Sequence, residues 1–162
     1  MMEGKQLVML PGLGFSAGVF NRLNFGGAFA VELPGCPEES RCDFTSLDDW
    51  AQALLPQLPE KAHYIGWSLG GSVSCYLAKH FPERVESLVL LASSPRLLAT
   101  DHWPGVTAEN WSFFSASDQG VIKAQKRLLA LQGDSACRRE LKAHQWQGNY
   151  AGWRQGLGAL AS

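Results

Sequence analysis

A serine set among glycines carries the first chemical signal in this chain. Gly66-Trp67-Ser68-Leu69-Gly70-Gly71 has the G-x-S-x-G form of a nucleophile elbow. In that motif the serine occupies a sharp strand-to-helix turn that lifts its hydroxyl above a sheet, and the flanking glycines leave room for the turn. Such a serine attacks an acyl carbon when donors stabilise the oxyanion, a base takes the hydroxyl proton and an acid orients the base. Donors are at hand. Pro11-Gly12-Leu13-Gly14 closes a short apolar run, so the backbone N–H groups of Leu13 and of Leu69, the residue after the serine, are the oxyanion-hole candidates.

The base and acid are harder to find. In this motif's chain order an acid and then a histidine follow the serine, and the later histidines are His80, His102 and His144. His80 falls at the end of the helix that the elbow opens, where it complements the helix C-terminus. His102 directly follows Asp101, and adjacent side chains point in different directions. His144 lies in a helical stretch with Lys142 and Gln145; its acid would be Asp134, after a leucine run whose spacing suits a helix better than a strand. The expectation is that the triad is not completed within these residues.

The elements that must position the serine alternate along the first part of the chain. Leu7-Val8-Met9-Leu10 reads as a buried parallel strand ended by Pro11-Gly12, and Phe29-Ala30-Val31-Glu32-Leu33 as a second. A helix begins at Ser46-Leu47-Asp48-Asp49-Trp50 with Thr45 or Ser46 as N-cap. Residues 62–67 form the strand that enters the elbow, 72–81 continue its helix until Pro82, and 85–92 form a fourth strand. This alternation predicts an α/β fold, an open parallel sheet with helices on both faces. From Pro95 onward the pattern is helical near 109–114, 120–132 and 135–146, with a glycine- and aromatic-rich tail that is loosely helical. Residues 1–95 thus read as a sheet layer and 96–162 as a helical lid.

Composition limits the partners. The chain has 162 residues, 46% hydrophobic and 18% charged, which suits one globular domain with its own core. A net charge of −1 gives no bulk reason for nucleic-acid or membrane binding. No signal-peptide layout and no apolar run of membrane-spanning length is present, so a cytoplasmic monomer is expected. Cys36, Cys42, Cys75 and Cys137 lack metal-ligand or disulfide-framework spacing, and no metal or cofactor is expected. Cys75, on the elbow helix, reads as a small core residue.

With elbow, loop and lid in hand, the chain resembles the α/β-hydrolases, and within them the pimeloyl-[acyl-carrier protein] methyl ester esterases of biotin synthesis. The matching residues are Leu10-Pro11-Gly12-Leu13-Gly14, the elbow, Phe81-Pro82-Glu83-Arg84-Val85, Leu91-Ala92-Ser93-Ser94-Pro95, Trp103-Pro104-Gly105 and Arg127-Leu128-Leu129-Ala130-Leu131-Gln132. The resemblance implies that Ser68 attacks the methyl ester of pimeloyl-acyl-carrier protein, with Leu13 and Leu69 N–H holding the oxyanion. It also implies that Trp67, Phe113, Leu128 and Gln132 bind the substrate. Lys123, Arg127, Arg138 and Lys142 would dock the acidic carrier protein; each pair is four residues apart on one helix face. The alternatives are another esterase, thioesterase or lyase of this fold, or an inactive truncated form that only binds acyl groups or carrier protein.

Three departures from the family pattern shape the expectations. Pro11 stands where the family usually has histidine in the oxyanion loop, the usual first hairpin has no counterpart, and neither have the later strands bearing the catalytic Asp and His. The chain is therefore expected to be the N-terminal portion of a longer protein. Its strand 85–92 would then form an exposed apolar edge, and the lid would lose its return anchor.

Overall fold

The computed structural model describes residues 6–34, 44–147 and 150–161, with the side chains of 113–115 outside that description. Four short strands, β1 (Leu7–Leu10), β2 (Ala28–Ala30), β3 (Ala62–Trp67) and β4 (Val85–Leu91), pair in parallel in the order β2-β1-β3-β4. The register sets Leu10 beside Gly66 and Gly66 beside Leu90, so the C-terminal ends of β1, β3 and β4 converge at the elbow. Parallel strands buried on both faces read as continuous apolar runs, and Val8, Met9 and Leu10 of β1 are all buried. β3 alternates instead: Ala62, Tyr64 and Gly66 are buried, whereas His63, Ile65 and Trp67 are half-buried.

Helix α1 (Leu47–Leu54) starts where serine capping predicts. Ser46 Oγ accepts from Asp49 N–H at 3.2 Å, and Asp49 Oδ2 accepts from Ser46 N–H at 3.0 Å, a reciprocal capping box. The Thr45 backbone N–H also donates to this carboxylate, at 2.9 Å. That bond, followed by the Ser46 hydroxyl, holds the Asp49 carboxyl below its ordinary value of 3.8. α1 buries Trp50, Ala51 and Leu54 and packs against α2 (Leu69–His80), the helix that follows the elbow and lies on β3 and β4.

The remaining helices are α3 (Ala108–Ser115), α4 (Asp118–Ala130), α5 (Ser135–Ala143) and α6 (Tyr150–Ala159). Thr107, Ser117 and Asp134 cap the first three through their side chains. α6 returns to the sheet: Trp153, Leu157 and Ala159 join the buried cluster of Val8, Leu10, Leu33 and Trp50. Trp111 Nε1–H donates to the Leu157 carbonyl at 2.8 Å, tying α3 to α6.

The structure corrects several boundaries. The second strand is only Ala28–Ala30; Val31 and Leu33 are buried, but apart from the Val31 N–H bond to the Met9 carbonyl at 3.0 Å they leave the ladder. The helix expected to run on to Trp146 stops at Ala143: His144 turns out of α5, and Gln145 then bridges Phe15 in antiparallel fashion. Cys75 is half-buried rather than core, and burial pushes its thiol up. The expected loss of the lid's anchor does not occur, since α6 packs into the common core. Cys36 and Cys42 lie outside the described residues.

The exposed edge is as expected. β4 has no strand on its outer side among the described residues, and Val89, Leu90 and Leu91 are 49%, 39% and 43% exposed. Because an apolar open edge templates pairing with other chains, Leu90→Lys should lower concentration-dependent self-association in light scattering with an unchanged far-UV spectrum; equal scattering would remove the edge as its cause. A second outcome concerns acid stability. The depressed Asp49 pKa makes its contribution fully present above the unfolded value of 3.8 and lost as pH falls through the lower folded value. Asp49→Asn should therefore flatten the loss of thermal stability below about pH 4, which a Tm-versus-pH series reads directly.

Candidate active site

Ser68 joins β3 to α2 with φ 52° and ψ −117°. Positive φ in a residue with a Cβ is strained by about 1–3 kcal/mol and persists only where surroundings over-determine it. Here both backbone groups are engaged. The Ser68 N–H donates to the Leu91 carbonyl at 2.9 Å, and its carbonyl accepts from Gly71 N–H at 2.9 Å and Ser72 N–H at 3.1 Å. Ser93 Oγ–H adds a bond to that carbonyl at 2.5 Å. The half-buried Ser68 hydroxyl has no hydrogen-bond partner among the described residues.

The turn also depends on close approach of backbone to backbone. A Cβ on Gly70 would run into the Leu10 and Pro11 carbonyls, and one on Gly66 would strike the Gly71 backbone. The Gly70 N–H donates to the Pro11 carbonyl at 3.1 Å, which seats the elbow directly on the loop after β1. That loop passes tightly by the serine: a Cβ on Gly12 would lie 3.3 Å from the Ser68 Cβ. Neither the Leu13 nor the Leu69 N–H takes a partner among the described residues' hydrogen bonds.

The loop is clamped from outside by the helical segment. Ser16 N–H donates to the His144 carbonyl at 2.8 Å, and Trp146 N–H donates to the Gly14 carbonyl at 2.7 Å. Gly14, at φ 78°, has its Cβ direction filled by the Trp153 ring, and α6 approaches Leu13 through Gly156.

Ser68 opens into a cavity of about 330 Å³ walled by Gly12, Leu13, Phe15, Trp67, Ala92, Leu128, Leu131 and Gln132. Five residues expected at the site, Leu13, Trp67, Ser68, Leu128 and Gln132, thus share one cavity. Leu69 is buried beneath it at the start of α2. The Phe15 and Trp67 rings pack at 4.9 Å, and Gln132 Nε2–H donates to the Leu128 carbonyl at 3.1 Å. Phe113 lies on α3 with its side chain outside the described ones. Lys123 and Arg127 are exposed on α4, Lys142 is exposed on α5, and Arg138 donates to the Gly133 carbonyl at 2.7 Å.

None of the four histidines lines this cavity. His63 contacts Ser87 Oγ through Nδ1 at 2.7 Å, and His80 stacks on Tyr76 at 4.1 Å. His102 occupies an exposed turn, and His144 ends α5. Asp134 spends its carboxylate on the Cys137 N–H as the α5 cap. Among the described residues no three His, Cys, Asp or Glu side chains gather as a metal site, and no described helix is long and apolar enough to cross a membrane.

Sequence reasoning missed Phe15, Ala92 and Ser93 as site residues. Ala92 lies at φ 45° immediately after β4 and lines the serine's cavity. A run of small and polar residues at the carboxyl end of an apolar strand was the available signal.

This strand–elbow–helix arrangement defines an α/β-hydrolase, and the chain belongs to the alpha/beta hydrolase family, whose pattern matches residues 7–161. The chain is 38% identical over 149 residues to a pimeloyl-[acyl-carrier protein] methyl ester esterase of Shewanella woodyi. That match covers 86% of this chain but 58% of the relative, so the chain spans a little over half of the relative's length. Among solved structures, a thermophilic esterase from Thermogutta terrifontis superposes with a TM-score of 0.76 at 13% identity, over 98% of this chain and 64% of that one. MenH from S. aureus gives 0.74 at 18% identity, over 97% and 66%. At those identities the likeness is one of fold.

The Ser93 bond to the strained carbonyl yields a test. Ser93→Ala should cost about 1 kcal/mol, lowering Tm by roughly 2–4 °C in a chain of this size. Ser94→Ala, which removes an exposed bond to the Arg96 carbonyl, should cost less; equal Tm losses in calorimetry would deny Ser93 its special role.

Proposed function

We propose that Ser68 is the nucleophile of a carboxylic-ester hydrolase acting on the methyl ester of pimeloyl-acyl-carrier protein. The observation that carries this reading is the strained, clamped Ser68 turn, whose hydroxyl is unpartnered beside the unpartnered N–H groups of Leu13 and Leu69. The relationship to the Shewanella woodyi esterase supports the substrate. Ser68 Oγ attacks the ester carbonyl carbon, the carbonyl oxygen takes up the negative charge, and Leu13 and Leu69 N–H receive it. Each such donor is worth about 10²–10³ in rate. Collapse breaks the C–OCH3 bond, methanol leaves with a proton, and water then hydrolyses the acyl-serine to the free acid. The general base and its orienting acid come from outside the described residues.

In this reading Trp67, Leu128, Gln132 and Phe113 contact the acyl chain. The 96–162 segment serves as a lid whose Lys123, Arg127, Arg138 and Lys142 attract acidic carrier protein. The setting is the cytoplasm, in keeping with the free thiols of Cys75 and Cys137.

Mass spectrometry of methyl-pimeloyl carrier protein incubated with this chain, and with a version carried on downstream of Ser162, tests the proposal. The longer version should remove the methyl group and rescue growth of a biotin-requiring strain, and Ser68→Ala should abolish both. Persistent demethylation in Ser68→Ala would reject the nucleophile. Carrier-protein association should weaken as salt is raised; salt-indifferent binding would return the four basic residues to ordinary surface.

A further inference from the structure

Gly12 to Phe15 make a β-turn. The Phe15 N–H donates to the Gly12 carbonyl at 3.2 Å, and Gly14, third in the turn, has φ 78°. A positive φ at that place is what calls for glycine in such turns. The turn bears on the serine because a peptide unit is planar. The Gly12 carbonyl and the Leu13 N–H belong to one unit, so the bond that holds the first aims the second. That bond is a single neutral one, weak by itself, and a glycine in the turn leaves the backbone free to swing.

The helix α6 removes this freedom. Trp153 is fully buried and lays the six-membered part of its indole over Gly14, where a Cβ would stand. Gly156, three residues on and on the same helix face, lets α6 close against the Leu13 side chain. The Trp153 indole N–H is buried with no hydrogen-bond partner among the described residues, although a buried tryptophan usually finds one. The position therefore uses the bulk of the ring and not its polar tip.

We propose that Trp153 is a positioning residue for the oxyanion hole: by filling the space beside Gly14 it locks the turn, and with it the direction of the Leu13 N–H. It does not line the cavity at Ser68, so it acts through Gly14 and not on the substrate. The Leu69 N–H, at the start of α2, lies in a different element and is independent of it. Loss of the ring therefore misdirects one donor of the two and leaves the nucleophile's turn intact. The proposal rests on the reading of Leu13 N–H as a donor to the oxyanion formed at Ser68.

Two readouts test it. In the chain labelled with nitrogen-15 leucine, Trp153→Ala should shift and broaden the Leu13 amide signal and leave the Leu69 signal in place. In the version carried on downstream of Ser162, the same change should lower kcat for p-nitrophenyl butanoate by about 10²-fold with KM unchanged, as expected for an interaction made only in the transition state. Trp153→Phe, which keeps a ring over Gly14, should restore most of that kcat. Trp50 is the control, being equally buried on α1 with an indole N–H that also lacks a partner among the described residues. Trp50→Ala should lower Tm but keep kcat and the Leu13 signal. If Trp153→Ala fails to fold, Trp153→Leu retains most of the apolar volume and carries the same test. A Leu13 signal that stays in place, or a kcat loss matched by Trp50→Ala, would overturn the positioning role. The amide signals are read without turnover, so Ser68→Ala decides the nucleophile separately.

Discussion

The geometry of the site depends on holding one residue, Ser68, in a backbone conformation that it would not choose alone. Its φ of 52° is maintained by bonds from three directions: the Leu91 carbonyl at the end of β4, the Gly71 and Ser72 amides of α2, and the Ser93 hydroxyl. Each neutral bond contributes about 1 kcal/mol net, so together they offset a strain of about 1–3 kcal/mol. The glycines act differently. They stabilise nothing themselves, but any side chain at Gly66 or Gly70 would drive α2 off the strands that supply those bonds.

The same logic extends to the loop after β1. Gly70 N–H grips the Pro11 carbonyl from the elbow side, while residues 144–146 and Trp153 press on Gly14 and Phe15 from the other. The helical segment therefore does more than cover a cavity. It fixes the loop that presents the Leu13 N–H, so substitutions in α6 act on the site without touching it. Pro11, in place of a histidine, is compatible with this arrangement because the loop works through backbone groups.

Much of this was legible because its causes are local. The elbow is six consecutive residues, the α1 cap is a serine three residues before an acid, and Val121, Ala124 and Leu128 of α4 recur at helical spacing. Two features defeated local reading. Val31 and Leu33 are apolar and buried, which is all that a periodicity argument senses, but the register with β1 ends at Ala30 opposite Met9, and Val31 keeps only one bond to that strand. The roles of Ala92, Ser93 and Gln145 arise from contacts with residues far away in sequence, and no short window contains both partners. Asp134 illustrates the reverse case: its neighbourhood looked like a strand ending in an acid, and the capping bond to Cys137 explains why an acid stands there.

The position of Leu91 links the elbow to the dynamics of the sheet. β4 is an edge strand, paired on one side only among the described residues, and such strands sit toward the low end of a protein's local-opening free energies. Yet its last carbonyl receives the Ser68 N–H. Fraying of β4 therefore relaxes the nucleophile's turn before the rest of the core feels it, and Ser68's amide hydrogen should exchange on the edge strand's timescale rather than that of β1. Whatever pairs with β4 stiffens the serine from behind, because order at the outer edge of the sheet steadies the Leu91 carbonyl, one of the three supports of the nucleophile's turn.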